Sequence, residues 1–463
     1  MKADDSRLTG AFLVAALALA ACGDGDQANA DVSGTWLGAI PVGGVSLRVV
    51  FNLSKRDDGS FAGTMDSPDQ GGFGIPVTQI DVHGRHVDLA AASIDASFSG
   101  DLSADGSTLS GTATQAGEGT PLVLHKQPGP LDYRRPQDPV APYPYNSLDV
   151  TFANSDAGIT LAGTLTWPQG AGPFTTVVLI AGSGPNNRNE ELMNHRPFLV
   201  LSDALTRAGI ATLRYDKRGV GLSSGDYATA TSPDFAADGR AAVSYLRGQT
   251  SFVARTIGLV GHSEGGLLGP MAADGNLDVA FLVLLAGPGV PGDQTLISQA
   301  HAIGAADGTP PAQLAQADAL NQRIYACFRA TSDPQELETQ LRAVLTSSGA
   351  TAAQQDSAIA ELTTPWMRYF VTYDPAPVLT RTRIPVLALN GSLDLQVLPD
   401  LNLPPIQQAL LDAGNQQATV QKLEGLNHLF QHATTGSPME YGIINETMAP
   451  EVLAQVAAWI GSL

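Results

Sequence analysis

Residues 257–266 read IGLVGHSEGG: an apolar run from Ile257 to Val260, then Gly261, His262, Ser263, Glu264 and Gly265, then a helix-prone stretch from Gly266. The pattern is G-x-S-x-G between a buried strand and a helix, the setting of a nucleophile elbow. A serine hydroxyl is a poor nucleophile at neutral pH, so it must be held where a base reaches one side and a substrate carbonyl the other. A sharp strand-to-helix turn does this. The glycines matter because the strained turn packs close to neighbouring backbone, where a Cβ would clash. In a chain with 49 glycines the pentapeptide alone is a modest signal. The residues around it decide its weight.

From Leu148 onward the chain alternates strands with helices, the signature of a largely parallel sheet covered on both faces and hence of an α/β fold. Apolar runs mark buried strands at Thr176 to Ala181, Ile210 to Tyr215, Thr256 to Val260, Val279 to Ala286, Ile384 to Leu389 and Thr419 to Leu423. Helices fit at Phe198 to Ala208, Phe235 to Arg247, Gly266 to Ala273, Pro404 to Ala413 and Pro450 to Ile460. Between Ala286 and Ile384 the spacing is helical but too long for an ordinary connection. A helical cap over about 290–375, at the C-terminal edge of the sheet, explains it.

Upstream, residues 31–126 are rich in Gly, Ser, Thr and Val. Leu47, Val49, Phe51 and Leu53 fall on one strand face, and Val82, Val87 and Leu89 continue the style beyond a turn at Gly84. Asp58-Gly59-Ser60 followed by a strand is echoed by Asp105-Gly106-Ser107 followed by another. Such units point to a separate antiparallel barrel or sandwich, serving as spacer, substrate module or interface. Residues 127–147 carry Pro128, Pro130, Pro136, Pro139, Pro142 and Pro144 and read as an extended, semi-rigid linker. Residues 1–30 read as a processing segment. Lys2 and Arg7 precede an apolar stretch, Ala11 to Ala21, too short to span a bilayer. Leu19-Ala20-Ala21-Cys22 resembles a lipobox, which makes Cys22 a candidate lipid attachment point and the protein an exported, membrane-anchored one. Cleavage near Ala28 or Ala30 is the alternative.

The net charge of −20 argues against nucleic acid as a partner. Cys327 is expected as a small buried residue on a helix. No cluster has metal-ligand spacing, and His83 with His86 reads as a solvated strand face, so no metal or cofactor is expected. Nothing in the sequence fixes an oligomeric state.

Activating Ser263 requires a base, an acid to orient it, and donors for an oxyanion. Asp394 follows the strand ending at Leu389, and His428 follows the next strand, so the candidates run Ser263, Asp394, His428. Asp400 and His432 are rivals farther from their strand ends. His262 should diverge from Ser263 on a tight turn. The N–H of Glu264 and that of Ser183, in the bend Gly182-Ser183-Gly184-Pro185, are the candidate oxyanion donors. Asp216 and Arg218 are expected to tie their own loop together with a salt bridge.

The runs Gly182 to Glu191 and Asp216 to Ser223, the Gly261 elbow and the stretch Asn427 to Pro450 resemble bacterial α/β-hydrolases of the serine aminopeptidase and prolyl-oligopeptidase-like grouping, over roughly residues 148–463. Where relatives begin the oxyanion motif with His-Gly, this chain has Ala181-Gly182. The resemblance implies the order of a Ser-Asp-His triad and cleavage of acyl esters through an acyl-enzyme. Trp366, Met367, Tyr369 and Phe370 are candidates for the substrate pocket or, more commonly, for packing of the cap. A second reading is a short-peptide hydrolase anchoring a free amine on cap carboxylates such as Glu336, Glu338 or Glu361. A third is a non-catalytic, ligand-binding lipoprotein.

Overall fold

The computed structural model describes residues 29–42, 45–249 and 252–463. The leader and Cys22 lie outside them. Among the described residues, no helix is long and apolar enough to cross a membrane.

The first unit is one antiparallel sheet of nine strands: β1 (Gly34–Val42), β2 (Val45–Lys55), β3 (Phe61–Ser67), β4 (Gly72–Pro76), β5 (Gln79–His83), β6 (His86–Ala91), β7 (Ala96–Leu102), β8 (Thr108–Gln115) and β9 (Glu118–Lys126). They lie in the order β4-β3-β2-β1-β9-β8-β7-β6-β5, a half-barrel. The expectation of a barrel or sandwich therefore resolves to a single open sheet. Leu47, Val49, Phe51 and Leu53 do share a buried face, and the last three pack with Trp36, Leu89, Phe98 and Leu122. The two Asp-Gly-Ser sequences are the turns of the β2–β3 and β7–β8 hairpins. In each, the aspartate Oδ1 accepts the serine N–H two residues on, at 2.9 Å from Ser60 and 3.1 Å from Ser107. Such an Asx turn offers the backbone a local partner where the ladder ends.

The second unit is an eight-stranded sheet. It opens with an antiparallel hairpin, β10 (Asn146–Asn154) and β11 (Ile159–Trp167), and continues with β12 (Phe174–Ile180), β13 (Ala211–Tyr215), β14 (Ala254–His262), β15 (Val279–Leu285), β16 (Val386–Gly391) and β17 (Ala418–Leu423). The order is β10-β11-β13-β12-β14-β15-β16-β17, with parallel pairing from β13 onward. Helices α1 (Pro197–Arg207), α2 (Ser232–Arg247) and α3 (Glu264–Ala273) follow β12, β13 and β14. Between β15 and β16 the chain makes α4 (Gly292–Ala306), α5 (Pro311–Ala330), α6 (Pro334–Ser347), α7 (Ala352–Leu362), α8 (Pro365–Phe370) and α9 (Ala376–Leu379). Among the described residues the two remaining α-helices are α10 (Pro399–Asp412) and α11 (Pro450–Gly461).

Successive strand residues point to opposite faces, and both faces are apolar. Val178, Ile180 and Leu259 pack under α2, α3 and α10. Val177, Leu179 and Val260 pack under α1 and α11. The cap has a core of its own, in which Cys327 and Phe328 on α5 meet Leu337, Leu341 and Leu345 on α6. Helix α2 starts where a capping box permits: Thr231 N–H and Oγ1 both donate to Asp234 Oδ2, at 2.9 and 2.6 Å.

The two units meet backbone to backbone. A Cβ on Gly442 would lie 1.7 Å from the Asp69 carbonyl oxygen, so only glycine fits there. The connecting segment lies on the second unit. Arg135, 5% exposed, donates to the carbonyl oxygens of Ile444 (3.1 Å), Met193 (3.1 Å) and Gly442 (2.5 Å). Gln137 accepts from Thr447 N–H at 2.5 Å and donates to Met448 O at 2.7 Å. Arg135→Ala would leave three carbonyls, that of Gly442 buried and those of Met193 and Ile444 half-buried, without their charged donor. It is expected to lower stability by about 3 kcal/mol, read from guanidinium denaturation; a loss under about 0.5 kcal/mol would show that the clasp contributes nothing.

Candidate active site

Ser263 sits between the last residue of β14 and the first of α3 with φ 53° and ψ −121°, a conformation L-residues rarely adopt. The turn exists because nothing protrudes around it. A Cβ on Gly261 would come within 1.9 Å of Gly265 O, and one on Gly265 within 1.9 Å of Ile180 O. Ser263 N–H donates to Leu285 O at 2.8 Å, which ties the turn to β15.

Asp394 lies on the loop after β16 and His428 on the loop after β17, both buried. His428 Nδ1 is 2.8 Å from Asp394 Oδ2. The other carboxylate oxygen accepts the N–H groups of Gln396 (2.8 Å) and Val397 (2.9 Å). An ionised carboxylate can only accept, so Nδ1 carries the proton and Nε2 is left as the acceptor. Ser263 and His428 line one cavity of about 100 Å³, together with Ser183, Glu190, Leu192 and Gln396. The structure thus brings together the three residues that lie at successive strand ends. The rivals face elsewhere: His432 is exposed beside Glu446 and Glu451, both at 2.9 Å, and Asp400 pairs with Lys422 on the surface.

The bend after β12 places Ser183 on the same cavity. Gly182 N–H is occupied by Glu190 Oε1 at 2.6 Å. Among the described residues neither the N–H of Ser183 nor that of Glu264 has a hydrogen-bond partner. The Glu264 side chain is turned away and buried, its Oε1 accepting from Ser232 Oγ and Trp366 Nε1, both at 2.7 Å.

Two neighbours of the cavity make contacts that the sequence reading did not foresee. Glu190, at φ 51° and 5% exposed, accepts both from Gly182 and from His262 Nδ1 (3.0 Å). His262 Nε2 in turn lies 2.9 Å from the His428 carbonyl oxygen. His262 therefore does turn from Ser263, yet its ring borders the cavity, 4.8 Å from that of His428. With an acceptor facing each nitrogen, only the doubly protonated ring satisfies both. Burial disfavours that charge, but Glu190 and the His428 carbonyl outweigh it and raise the pKa of His262. Nothing but adjacency to Ser263 marks His262 in the sequence, and Glu190 carries no spacing signal.

One expected pairing is corrected. Asp216 does not pair with Arg218: Asp216 takes Arg188, by the guanidinium at 2.7 Å and the main-chain N–H at 2.8 Å, while Arg218 takes Asp238 at 2.8 Å. Asp238 is almost wholly buried on α2 and requires a cation, so it outcompetes a neighbour two residues away. In the cap, Trp366 is held by Glu264 and stacks on Phe370, and Met367 packs in the cap core, so these residues pack the cap onto the sheet. Glu336 and Glu361 are exposed, Glu338 is half-buried, and none of the three lines the cavity.

The sheet order, the elbow and the inserted cap define an alpha/beta hydrolase. The chain belongs to the alpha/beta hydrolase family, whose model matches residues 177–436, more than half of its length. It is similar to the esterase EstD of Thermotoga maritima, with 32% identity over 178 residues, which are 38% of this chain and 40% of that protein. The match thus spans less than half of that relative. Among solved structures, the Pyrococcus furiosus esterase Pf2001 superposes with a TM-score of 0.42 at 16% identity, covering 71% of this chain and 97% of that one. The Mycobacterium smegmatis proline iminopeptidase gives 0.41 at 17% identity, covering 68% and 98%.

The Glu190–His262 pair has a pH signature. A histidine whose folded pKa is raised contributes stability below its unfolded value, about 6.5, and loses that contribution as pH rises through the folded value. The stability gap between the wild type and Glu190→Gln should therefore be wider at about pH 6 than at about pH 9.5. A gap that is the same at both pH values in chemical denaturation would mean that the ring is neutral throughout.

Proposed function

We propose that this protein is an exported serine hydrolase that cleaves acyl esters. The observation that carries the reading is the 2.8 Å His428–Asp394 contact on the same small cavity as a strained Ser263. His428 Nε2 removes the proton of Ser263 Oγ as the oxygen attacks the ester carbonyl. Negative charge develops on the former carbonyl oxygen and is received by the N–H groups of Ser183 and Glu264. Collapse breaks the bond to the alkoxy oxygen, which takes the proton from His428. Water, deprotonated by the same nitrogen, then attacks the acyl-enzyme, and the acid leaves with Ser263 restored. Asp394 fixes the tautomer and stabilises the imidazolium throughout.

Ester rather than peptide cleavage is favoured by the cap, whose candidate amine anchors do not line the cavity: Glu336 and Glu361 are exposed, and Glu338, half-buried, pairs with Arg342 at 2.8 Å. The EstD relative supports the same choice. The cavity of about 100 Å³ suits a short acyl group. Export and a lipid anchor at Cys22 rest on the leader sequence alone. Globomycin-sensitive processing and loss of membrane association in Cys22→Ala test them.

Ser263→Ala is expected to abolish hydrolysis of a short-chain p-nitrophenyl ester and labelling by a fluorophosphonate while leaving the protein folded; retained turnover removes the proposal. Asp394→Asn should lower kcat by about 10³–10⁴ by presenting the wrong tautomer, with KM little changed. A faster turnover of aminoacyl-p-nitroanilides than of acyl esters would favour the peptidase reading instead.

A further inference from the structure

Lys217 follows β13 and is 3% exposed. Its ammonium lies 4.4 Å from the centroid of the Phe235 ring. It donates to Gly182 O at 2.5 Å and to Glu264 Oε2 at 3.5 Å. An ammonium taken out of water is costly unless charge and hydrogen bonds meet it. Holding the loop could be done by an apolar side chain at less cost, so the identity of the two acceptors is what matters.

The Gly182 carbonyl is the far end of the peptide group whose N–H belongs to Ser183. The Glu264 carboxylate is carried by the residue whose own N–H opens α3. One buried cation, not itself lining the cavity, therefore touches the peptide group that carries the Ser183 N–H and the side chain of Glu264. A hydrogen bond received at a carbonyl oxygen draws electron density from the amide nitrogen and strengthens its N–H as a donor, the more so when the bond is charge-assisted and out of water. Asn186 Nδ2 donates to the same oxygen at 2.9 Å and adds to the effect. Glu264 is itself immobilised by Ser232 and Trp366, so the ammonium is braced on a fixed carboxylate.

We infer that Lys217 is a positioning residue of the oxyanion hole: it fixes the separation of the Ser183 and Glu264 peptides and strengthens the Ser183 N–H toward negative charge. The inference rests on the reading of Ser263 as the nucleophile. It predicts a contribution that appears only when charge develops on the substrate oxygen, and hence one that binding of the neutral ester does not sense.

The test compares the full chain with Lys217→Met and with the double variant Lys217→Met/Glu264→Gln. The double variant leaves no carboxylate without its cation and serves where the single one does not fold. With a p-nitrophenyl ester, both are expected to show kcat lowered about tenfold, less than the 10²–10³ lost when a donor is removed outright, with KM within about twofold. The inhibition constant of a trifluoromethyl ketone, whose serine adduct carries the oxyanion, should rise by the same factor as kcat falls. A role confined to folding would instead move melting temperature and KM without this parallel. Folded variants with wild-type kcat and inhibition constant overturn the inference, as does a loss of kcat with unchanged ketone affinity. Ser263→Ala assayed alongside separates the two readings. If it is inactive and the Lys217 variants are not impaired, only the role of Lys217 falls; if it retains turnover, both fall.

Discussion

The site depends on how closely β12, the β14–α3 turn and β15 approach one another. Ser263 holds φ 53° and ψ −121° only because Gly261, Gly265 and Gly266 present no side chain to Ile180, to each other or to Gly287, where added Cβ atoms would sit 1.9 to 2.7 Å from backbone. Strain of this kind, of order 1–3 kcal/mol, persists where surrounding contacts over-determine it. Parallel pairing then does the rest. With β12, β14, β15, β16 and β17 side by side and pointing the same way, the loops that leave their C-terminal ends converge on one rim. The bend at Gly182, the turn at Ser263, Asp394 and His428 are each delivered by a different one of those strands.

Around that rim buried charges face one another, with Glu190 Oε2 left without a partner. Glu190 meets His262, Asp394 meets His428, and Lys217 meets Glu264, each pair nearly excluded from water. Buried pairs of this kind are poor sources of net stability but strong sources of fixed geometry when every partner is in place. The exposed pairs, such as His432 with Glu446 or Lys422 with Asp400, contribute little by comparison. His262 links two of the three systems, since its Nδ1 is held by Glu190 and its Nε2 by the main-chain carbonyl of His428.

Much of the fold was legible in the sequence because buried parallel strands are continuous apolar runs, and five of them reappear within a few residues of where the composition puts them; the sixth, Thr419 to Leu423, is a strand in place but lies at the sheet edge with no buried residue. The β10–β11 hairpin was not, because its first strand alternates: Val150 and Phe152 are buried while Asp149, Thr151 and Ala153 face outward, a pattern that a search for apolar runs passes over. Ser263, Asp394 and His428 could be picked out because each stands in a fixed relation to a strand end. Glu190, Lys217 and Trp366 stand in no such relation. What joins them to the site is packing between segments far apart in the chain, which a linear pattern does not encode. The Asp216–Arg218 pairing failed for the same reason, since nearness in sequence was given more weight than the demand of a buried carboxylate on another element. The Asp-Gly-Ser turns foretold the hairpins of the first unit, but turns are local, and whether nine strands close or stay open is decided by pairing at the edges.

The loop 190–195 shows what this architecture means for a chain emerging from the ribosome. His195, wholly buried, is held by Thr447 Oγ1 at 2.9 Å and Tyr441 O at 2.8 Å, and Met193 is gripped by Arg135 together with Gly442 and Ile444. The partners of the loop that carries Glu190 are translated some 250 residues after it. The surroundings of Glu190 are therefore incomplete without residues 441–447, and a nascent protein stalled short of them would possess strands β12 to β16 without the contacts that hold this loop.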